Sequence, residues 1–314
     1  MFHLLGGIFL GWSLGANDAA NVFGTAVTSR MVRFWTAAAL GALFVVAGAV
    51  ISGQAGIRTL AGLTHMRLDQ AITASLAAAL TVTLMTLLSQ PVSTSQAVVG
   101  AIIGIGLLNG QLNLTGLGKV VTCWVGTPLG AAAITLVLYR GLGYLLNRSR
   151  LNMFQSDALI RACMLVAGSY GAYALGANNV ANVTAVFVAA GMITVFSATL
   201  IGGISIALGI VTFSRPVMET VGKKLVRLDP FSSLIVVLAL GITVHIYTIV
   251  GVPVSTSQAV VGGVLGIGLV KGVNTVNRRT LKNILLAWVM TPLIACFFSM
   301  AINFVSHLQY VPPI

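Results

Sequence analysis

The sequence predicts an all-α polytopic membrane protein made of two inverted-topology repeats, each with about five membrane segments. Three observations lead to this fold class. The 314 residues are 57% hydrophobic and 7% charged, with a mean hydropathy of +1.01, whereas soluble domains carry about 25% charged residues. Many apolar stretches approach the roughly 20 residues that cross a bilayer as a helix. Finally, the ten residues PVSTSQAVVG occur twice, at Pro91–Gly100 and Pro253–Gly262.

The apolar segments form two series separated by a polar stretch, Arg140–Asp157. In the first series the segments fall at about 2–29, 34–53, 70–90, 92–108 and 117–139. In the second they fall at about 158–190, 192–213, 231–252, 254–270 and 283–306. No basic region precedes the first apolar run, so we expect Met1–Arg30 to be a structural segment and not a cleaved signal. The predicted division is repeat 1 at 1–139, a cytoplasmic linker at 140–157 and repeat 2 at 158–314.

Further landmarks align the two halves. Gly15–Asp18 (GAND) corresponds to Gly176–Asn179 (GANN), and Trp124–Pro128 (WVGTP) corresponds to Trp288–Pro292 (WVMTP). The offset drifts slowly along the chain, from 161 residues at the first landmark to 164 at the last. Such drift indicates small loop insertions after an old duplication.

The basic residues predict the orientation. Five segments per half is an odd number, so the second half should be inverted relative to the first. With loops assigned to alternating sides, one side holds 14 Lys and Arg residues and the other holds only Arg58, Arg67 and Lys119. The basic side is cytoplasmic, so both termini should lie outside the plasma membrane. The net charge of +12 reflects these loops and does not indicate a nucleic-acid partner.

The repeated PVSTSQ segments place a proline, hydroxyls and an amide within chain that should be buried in lipid. Such groups are tolerated at that depth only in protein or around a cavity, so we expect a broken or re-entrant helix in each half. Proline and serine suit a helix start, and a helix N-terminus with free N–H groups binds anions. The alternative is a pair of kinked helices whose hydroxyls bond their own backbone. The predicted anion ligands are Ser93, Thr94, Ser95, Gln96, Ser255, Thr256, Ser257 and Gln258.

The GANDAANVFGT segment predicts a cation site beside the anion. Asp18 is the one carboxylate inside an apolar segment, and an intramembrane acid is a functional-site hypothesis by default. With Asn21 and Thr25 it offers hard oxygen ligands that suit Na⁺. The alternative is an asparagine-rich contact between helices. The second repeat offers Asn178, Asn179, Asn182 and Thr184, with an amide in place of the acid at 179.

GANDAANVFGTAV, GANNVANV and the two PVSTSQAVVG segments together resemble the inorganic phosphate transporter (PiT) family, over nearly the whole chain. The resemblance implies uptake of inorganic phosphate coupled to Na⁺ or H⁺, and commonly a homodimer; the family also includes sulfate permeases. It assigns Asn17 and Asn178 to the substrate site, and Asp18, Asn21 and Asn182 to the Na⁺ site. The family usually carries Asp in both GAND copies, so Asn179 bears on the number of coupled cations.

Two other function classes fit the sequence less well. An anion channel would use the same helix ends, but the carboxylate of Asp18 repels anions unless a cation lies beside it. A membrane enzyme would need a metal cluster, a nucleophile–base set or a nucleotide motif, and the sequence shows none. No cofactor is expected besides the coupling ion, Na⁺ or alternatively H⁺. His245 lies in an apolar run and is either a proton carrier or a hydrogen-bonded core residue.

Overall fold

The computed structural model describes residues 2–87, 92–224, 228–272 and 278–308, and the regular structure within these ranges is entirely helical. After a short 3-10 turn at Phe2–Leu4, the helices are α1 (Leu5–Thr28), α2 (Phe34–Ser52), α3 (Gln54–Ala61), α4 (Leu68–Leu87), α5 (Thr94–Asn109), α6 (Leu114–Arg148), α7 (Met153–Ala189), α8 (Val195–Lys224), α9 (Pro230–Val250), α10 (Thr256–Lys271) and α11 (Arg278–Leu308).

The helix lengths confirm the predicted membrane class. Within the described ranges, seven helices are long and apolar enough to cross a bilayer. The helices that follow the two PVSTSQ segments, α5 and α10, have only 16 residues each, or about 24 Å, which is shorter than the roughly 30 Å hydrocarbon core. The predicted linker is mostly helical, because α6 continues to Arg148 and α7 begins at Met153 after an Asn152 capping box.

Each short helix turns back beside the helix that precedes it. Where α4 begins and α5 ends, Gln70 Nε2 donates to Asn109 Oδ1 at 2.8 Å. The α9–α10 pair is joined at the corresponding place, where Lys271 Nζ donates to Asp229 Oδ2. The start of the long helix and the end of the short one therefore lie on the same side of the molecule. The N-termini of α5 and α10 consequently lie in the interior.

The two halves interlock instead of forming separate bodies. The first helix of one half packs on the second helix of the other, as α1 on α8 and α2 on α7. Similarly, α5 packs on α11 and α10 packs on α6. The residues at the N-termini of α5 and α10 therefore lie where the halves meet.

Candidate anion and cation site

The short helices begin with matching caps. Ser93 precedes α5 in an extended conformation, and its Oγ accepts from Gln96 N at 3.3 Å. Ser255 precedes α10 in the same way and accepts from Gln258 N at 3.3 Å. Serine is favoured at this position because its hydroxyl satisfies one of the free N–H groups of the first turn. The described part of the first motif begins at Val92, so the predicted break at Pro91 lies outside the described residues.

The two helix starts meet across the boundary between the halves. Ser95 Oγ donates to the carbonyl of Val254 at 3.0 Å. In the reciprocal contact, Ser257 Oγ donates to the carbonyl of Val92 at 3.4 Å. Ser257 Oγ also lies 2.8 Å from Ser255 Oγ. The hydroxyls of one half thus bond the backbone of the other half.

A half-buried acid from α1, Asp18, borders this meeting point. Thr256 Oγ1 donates to Asp18 Oδ2 at 2.8 Å, and Asn179 Nδ2 donates to the same oxygen at 3.1 Å. Asn21 Nδ2 lies 3.5 Å from both Asp18 Oδ1 and Thr256 Oγ1. We call these four residues the Asp18 cluster. It joins α1, α7 and α10, and Asp18 Oδ1 is the less occupied of the two carboxylate oxygens.

Three asparagines on α7 complete the site. Asn178 holds Val254 by two bonds, accepting from its N–H at 2.8 Å and donating to its carbonyl at 2.7 Å. Asn179 Oδ1 accepts from Asn178 and Asn182 at 3.1 and 2.9 Å. Asn182 Nδ2 also donates to Ser95 Oγ at 2.8 Å. Asn182 Oδ1 is buried and has no partner among the described residues.

Comparison with known proteins identifies this arrangement. The sequence pattern of the phosphate transporter family matches residues 14–299. The chain belongs to the phosphate transporter family. It is 32% identical to the "Putative phosphate permease" of Methanocaldococcus jannaschii over 301 residues, covering 96% of each chain. It is also 32% identical over 309 residues to the sulfate permease CysP of Bacillus subtilis, covering 96% of this chain and 85% of that one.

A solved structure of "the sodium-dependent phosphate transporter" has the same fold. It matches with a TM-score of 0.86 at 25% identity, over 98% of this chain and 100% of that chain. The predicted family and the all-helical membrane fold are therefore confirmed.

Not every residue predicted for the site joins the network. Asn17, the counterpart of Asn178, donates to the carbonyl of Ser13 in its own helix at 3.0 Å. The described hydrogen bonds do not connect the side chains of Thr25 or Thr94 to the Asp18 cluster. Thr184 donates to the carbonyl of Val180, one turn back in α7. The two repeats therefore contribute unequally despite their similar sequences.

His245 has a local partner instead of a place in the network. Its Nδ1 lies 2.8 Å from the hydroxyl of Tyr170, and Tyr173 packs edge-on against its ring. These three residues line an open, mostly apolar groove of about 600 Å³ between α2, α7 and α9. These contacts fit the interpretation of His245 as a hydrogen-bonded residue packed between helices.

Trp124 and Trp288 are landmarks of the repeat in the sequence, and no local motif marks them as site residues. The structure buries both side chains, each 8% exposed, and leaves both indole N–H groups without a partner among the described residues. The recurrence of a tryptophan at the same position of both repeats is the sequence signal that marks Trp124 and Trp288 as candidate functional residues.

Proposed function

We propose that this protein is a secondary active transporter that carries inorganic phosphate across the plasma membrane together with Na⁺, by alternating access around the site between α5 and α10. One observation carries the proposal: two buried helix N-termini of identical sequence meet beside a half-buried carboxylate. The family membership supports the substrate, and the sodium dependence named for the similar solved structure supports the ion.

The helix ends are suited to an oxyanion. A helix start presents N–H groups without intrahelical partners and the positive end of the helix dipole. Each serine cap occupies one such N–H, at Gln96 and Gln258, so others remain for a ligand. A tetrahedral anion needs more donors than one helix end provides. Two ends that meet through Ser95 and Val254 offer donors from two directions.

The carboxylate explains why a cation should accompany the anion. A negative charge on Asp18 about 5 Å from a bound anion would oppose binding by roughly 3 kcal/mol at an effective dielectric of 20. A bound Na⁺ removes this repulsion, so neither ion binds well alone. Asp18 Oδ1 and the unpartnered Asn182 Oδ1 are hard oxygens of the type that Na⁺ accepts. Asn179 is less suited as a ligand because its oxygen already accepts two hydrogen bonds.

Sulfate is the second candidate substrate, because the relative CysP is a sulfate permease. At neutral pH phosphate keeps a proton and can donate a hydrogen bond, whereas sulfate cannot. A free acceptor such as Asn182 Oδ1 therefore favours phosphate. If a cation occupies that oxygen, the preference weakens, so direct competition between the two anions decides the question.

We further propose the orientation given by the basic residues, with the loop between α6 and α7 in the cytoplasm and both termini outside, and a homodimeric assembly. A single cysteine at Ser149 should react with an impermeant thiol reagent only after the cells are opened. Strong labelling of Ser149→Cys in sealed cells would contradict the inverted-repeat arrangement.

The central experiment is uptake of radiolabelled phosphate into proteoliposomes under an inward Na⁺ gradient. We expect phosphate to accumulate and the accumulation to cease when the gradient is removed. Excess unlabelled phosphate should inhibit uptake more strongly than excess sulfate. Equilibration without a gradient would indicate a channel. Accumulation driven only by a pH gradient would show that H⁺ is the coupling ion instead of Na⁺. Stronger inhibition by sulfate would show that sulfate is the preferred substrate.

A further inference from the structure

Two pairs of helices pack so closely that their register is unambiguous. A Cβ atom added to Gly100 of α5 would lie 2.3 Å from the carbonyl oxygen of Pro292 in α11, and Gly104 faces Cys296 in the same way. In the other half, a Cβ atom on Gly262 of α10 would lie 2.2 Å from the carbonyl oxygen of Pro128 in α6. Residue numbers increase together along both partners, so each pair of helices runs parallel.

One helical turn before each contact, a glutamine and a tryptophan occupy facing positions. Gln96 lies four residues before Gly100, and Trp288 lies four residues before Pro292. Residues four apart share one face of a helix. The glutamine of the anion site and the tryptophan therefore point into the same boundary. The second half repeats the arrangement with Gln258 and Trp124.

These facing side chains carry complementary unpaired atoms. The carboxamide oxygens of Gln96 and Gln258 are buried without a partner among the described residues. The indole N–H groups of Trp124 and Trp288 are buried and unpaired in the same sense. A buried unpaired polar atom costs about 1–3 kcal/mol, and native proteins pair nearly all of them. The same acceptor and the same donor occur at one place in both repeats, which argues against coincidence.

We propose that Trp288 and Trp124 are positioning residues for the transported anion: each indole N–H binds the carboxamide oxygen of the facing glutamine, Gln96 or Gln258, through one buried water. This inference rests on the proposed function, because it assigns a purpose to the bond at the same site. An indole nitrogen donates only, so it selects the oxygen end of the amide.

The consequence for binding follows from the two ends of a carboxamide. When the oxygen is held by tryptophan, the NH₂ group is the end that remains for the anion. Without the indole N–H, the amide can turn over and present its oxygen, which repels an anion. Gln96 and Gln258 lie in the first turn of α5 and α10, beside the N–H groups that face the ligand. The tryptophans thus favour the donor orientation in both halves.

The hydrogen bond itself can be tested without any substrate. Ultraviolet resonance Raman spectra contain an indole band that distinguishes a bonded from a free N–H. We expect Gln96→Met, which keeps the side-chain length and removes the amide, to shift one indole from bonded to free. In a Trp288→Phe background this shift should vanish, whereas Gln258→Met should still shift Trp124. An unchanged spectrum in Gln96→Met would overturn the pairing.

The effect on the anion is tested by phosphate binding to the detergent-purified protein at saturating NaCl. We expect Trp288→Phe to weaken binding by about 10- to 150-fold, the effect of one lost hydrogen bond to a charged group. In the Gln96→Met background the same change should have little further effect, while Trp124→Phe should still weaken binding. Equal losses from Trp288→Phe in both backgrounds would show that the ring acts by packing alone.

The two experiments separate this inference from the function on which it rests. If the wild-type protein binds no phosphate but the Raman shifts appear as described, the assigned substrate is wrong and the glutamine–tryptophan bonds stand. If phosphate binds and the Raman spectra do not respond to Gln96→Met, the function stands and the positioning role is wrong. Trp288→Phe could prevent folding, but the milder Gln96→Met variant still decides the spectroscopic test.

Discussion

Asn178 and Asn17 occupy equivalent positions in the two repeats and should respond very differently to truncation. Asn178 holds both backbone groups of Val254, at 2.8 and 2.7 Å, next to the start of α10. Asn17 makes a single bond to the carbonyl of Ser13 within α1. Val254 is fully buried, and its neighbour Ser255 caps α10. Asn178 therefore holds the backbone at the point where the anion site begins.

The expected cost follows from the atoms left behind. In Asn178→Ala the N–H of Val254 becomes a buried donor without a partner, which costs about 1–3 kcal/mol. Its carbonyl loses one bond, worth about 0.5–1.5 kcal/mol, and keeps the bond from Ser95 at 3.0 Å. The total is about 1.5–4.5 kcal/mol. In Asn17→Ala a half-buried side chain loses one bond within a helix, so the cost should stay below about 1 kcal/mol.

Thermal unfolding in detergent, followed by size-exclusion chromatography, measures the difference. A loss of about 1.5–4.5 kcal/mol should lower the melting temperature of Asn178→Ala by about 3–9 °C, at about 2 °C per kcal/mol, the lower limit for chains of 150–250 residues. Asn17→Ala is the matched control and should melt close to the wild type. Equal decreases in the melting temperature of the two variants would show that Asn17 stabilises the protein as much as Asn178 does. The proposed difference between the two asparagines would then be wrong.

Further predictions address the ions and the Asp229–Lys271 ion pair between α9 and α10. Asp18→Asn should lower Na⁺-driven phosphate uptake by about 100-fold while the protein stays folded, since a cation loses roughly 3 kcal/mol of attraction; normal Na⁺-dependent uptake would return Asp18 to a structural role. Ser93→Ala and Ser255→Ala should each weaken phosphate binding by about 1–3 kcal/mol, with a single affinity and a non-additive double variant; two phosphates per chain would contradict a shared site. Burial raises the pKa of Asp229, but the hydrogen bonds from Lys271 and Ser232 outweigh it and hold that pKa below the ordinary 3.8. The contribution of Asp229 to stability should therefore be full above its unfolded pKa of about 3.9 and decline as the pH falls through the lower folded value. The melting-temperature difference between wild type and Asp229→Asn measures it, and a difference that grows below pH 4 would refute the sign.

Much of the site could be predicted from local sequence. Ser93 and Ser255 cap helices because a hydroxyl before an apolar run satisfies a free N–H, and that preference needs no distant partner. Asp18 was identifiable because an acid in an apolar segment is too costly to retain without a use. The ends of α5 and α10 are also local, because Gly110 and Gly272 follow the last helical residue and adopt a left-handed conformation.

Other features depend on segments far apart in the chain. The bond from Thr256 to Asp18 spans 238 residues, and nothing near either residue in the sequence indicates it. Asn17 and Asn178 share the same local motif, yet only Asn178 bonds a distant segment, the backbone of Val254 at the start of α10. The facing positions of Gln96 and Trp288 appear only when α5 packs on α11.

The sequence by itself therefore determined the membrane class, the duplication, the helix starts and the chemistry available at them, because these depend on composition and on contacts within a few residues. Only the tertiary structure decided which polar groups meet. The two halves interlock, so Ser95, Ser257, Asp18 and Asn182 each find a partner in the other half. Identical motifs consequently acquire different neighbours. Because the lipid offers no hydrogen bonds, the role of a buried polar atom depends on the protein group that pairs with it.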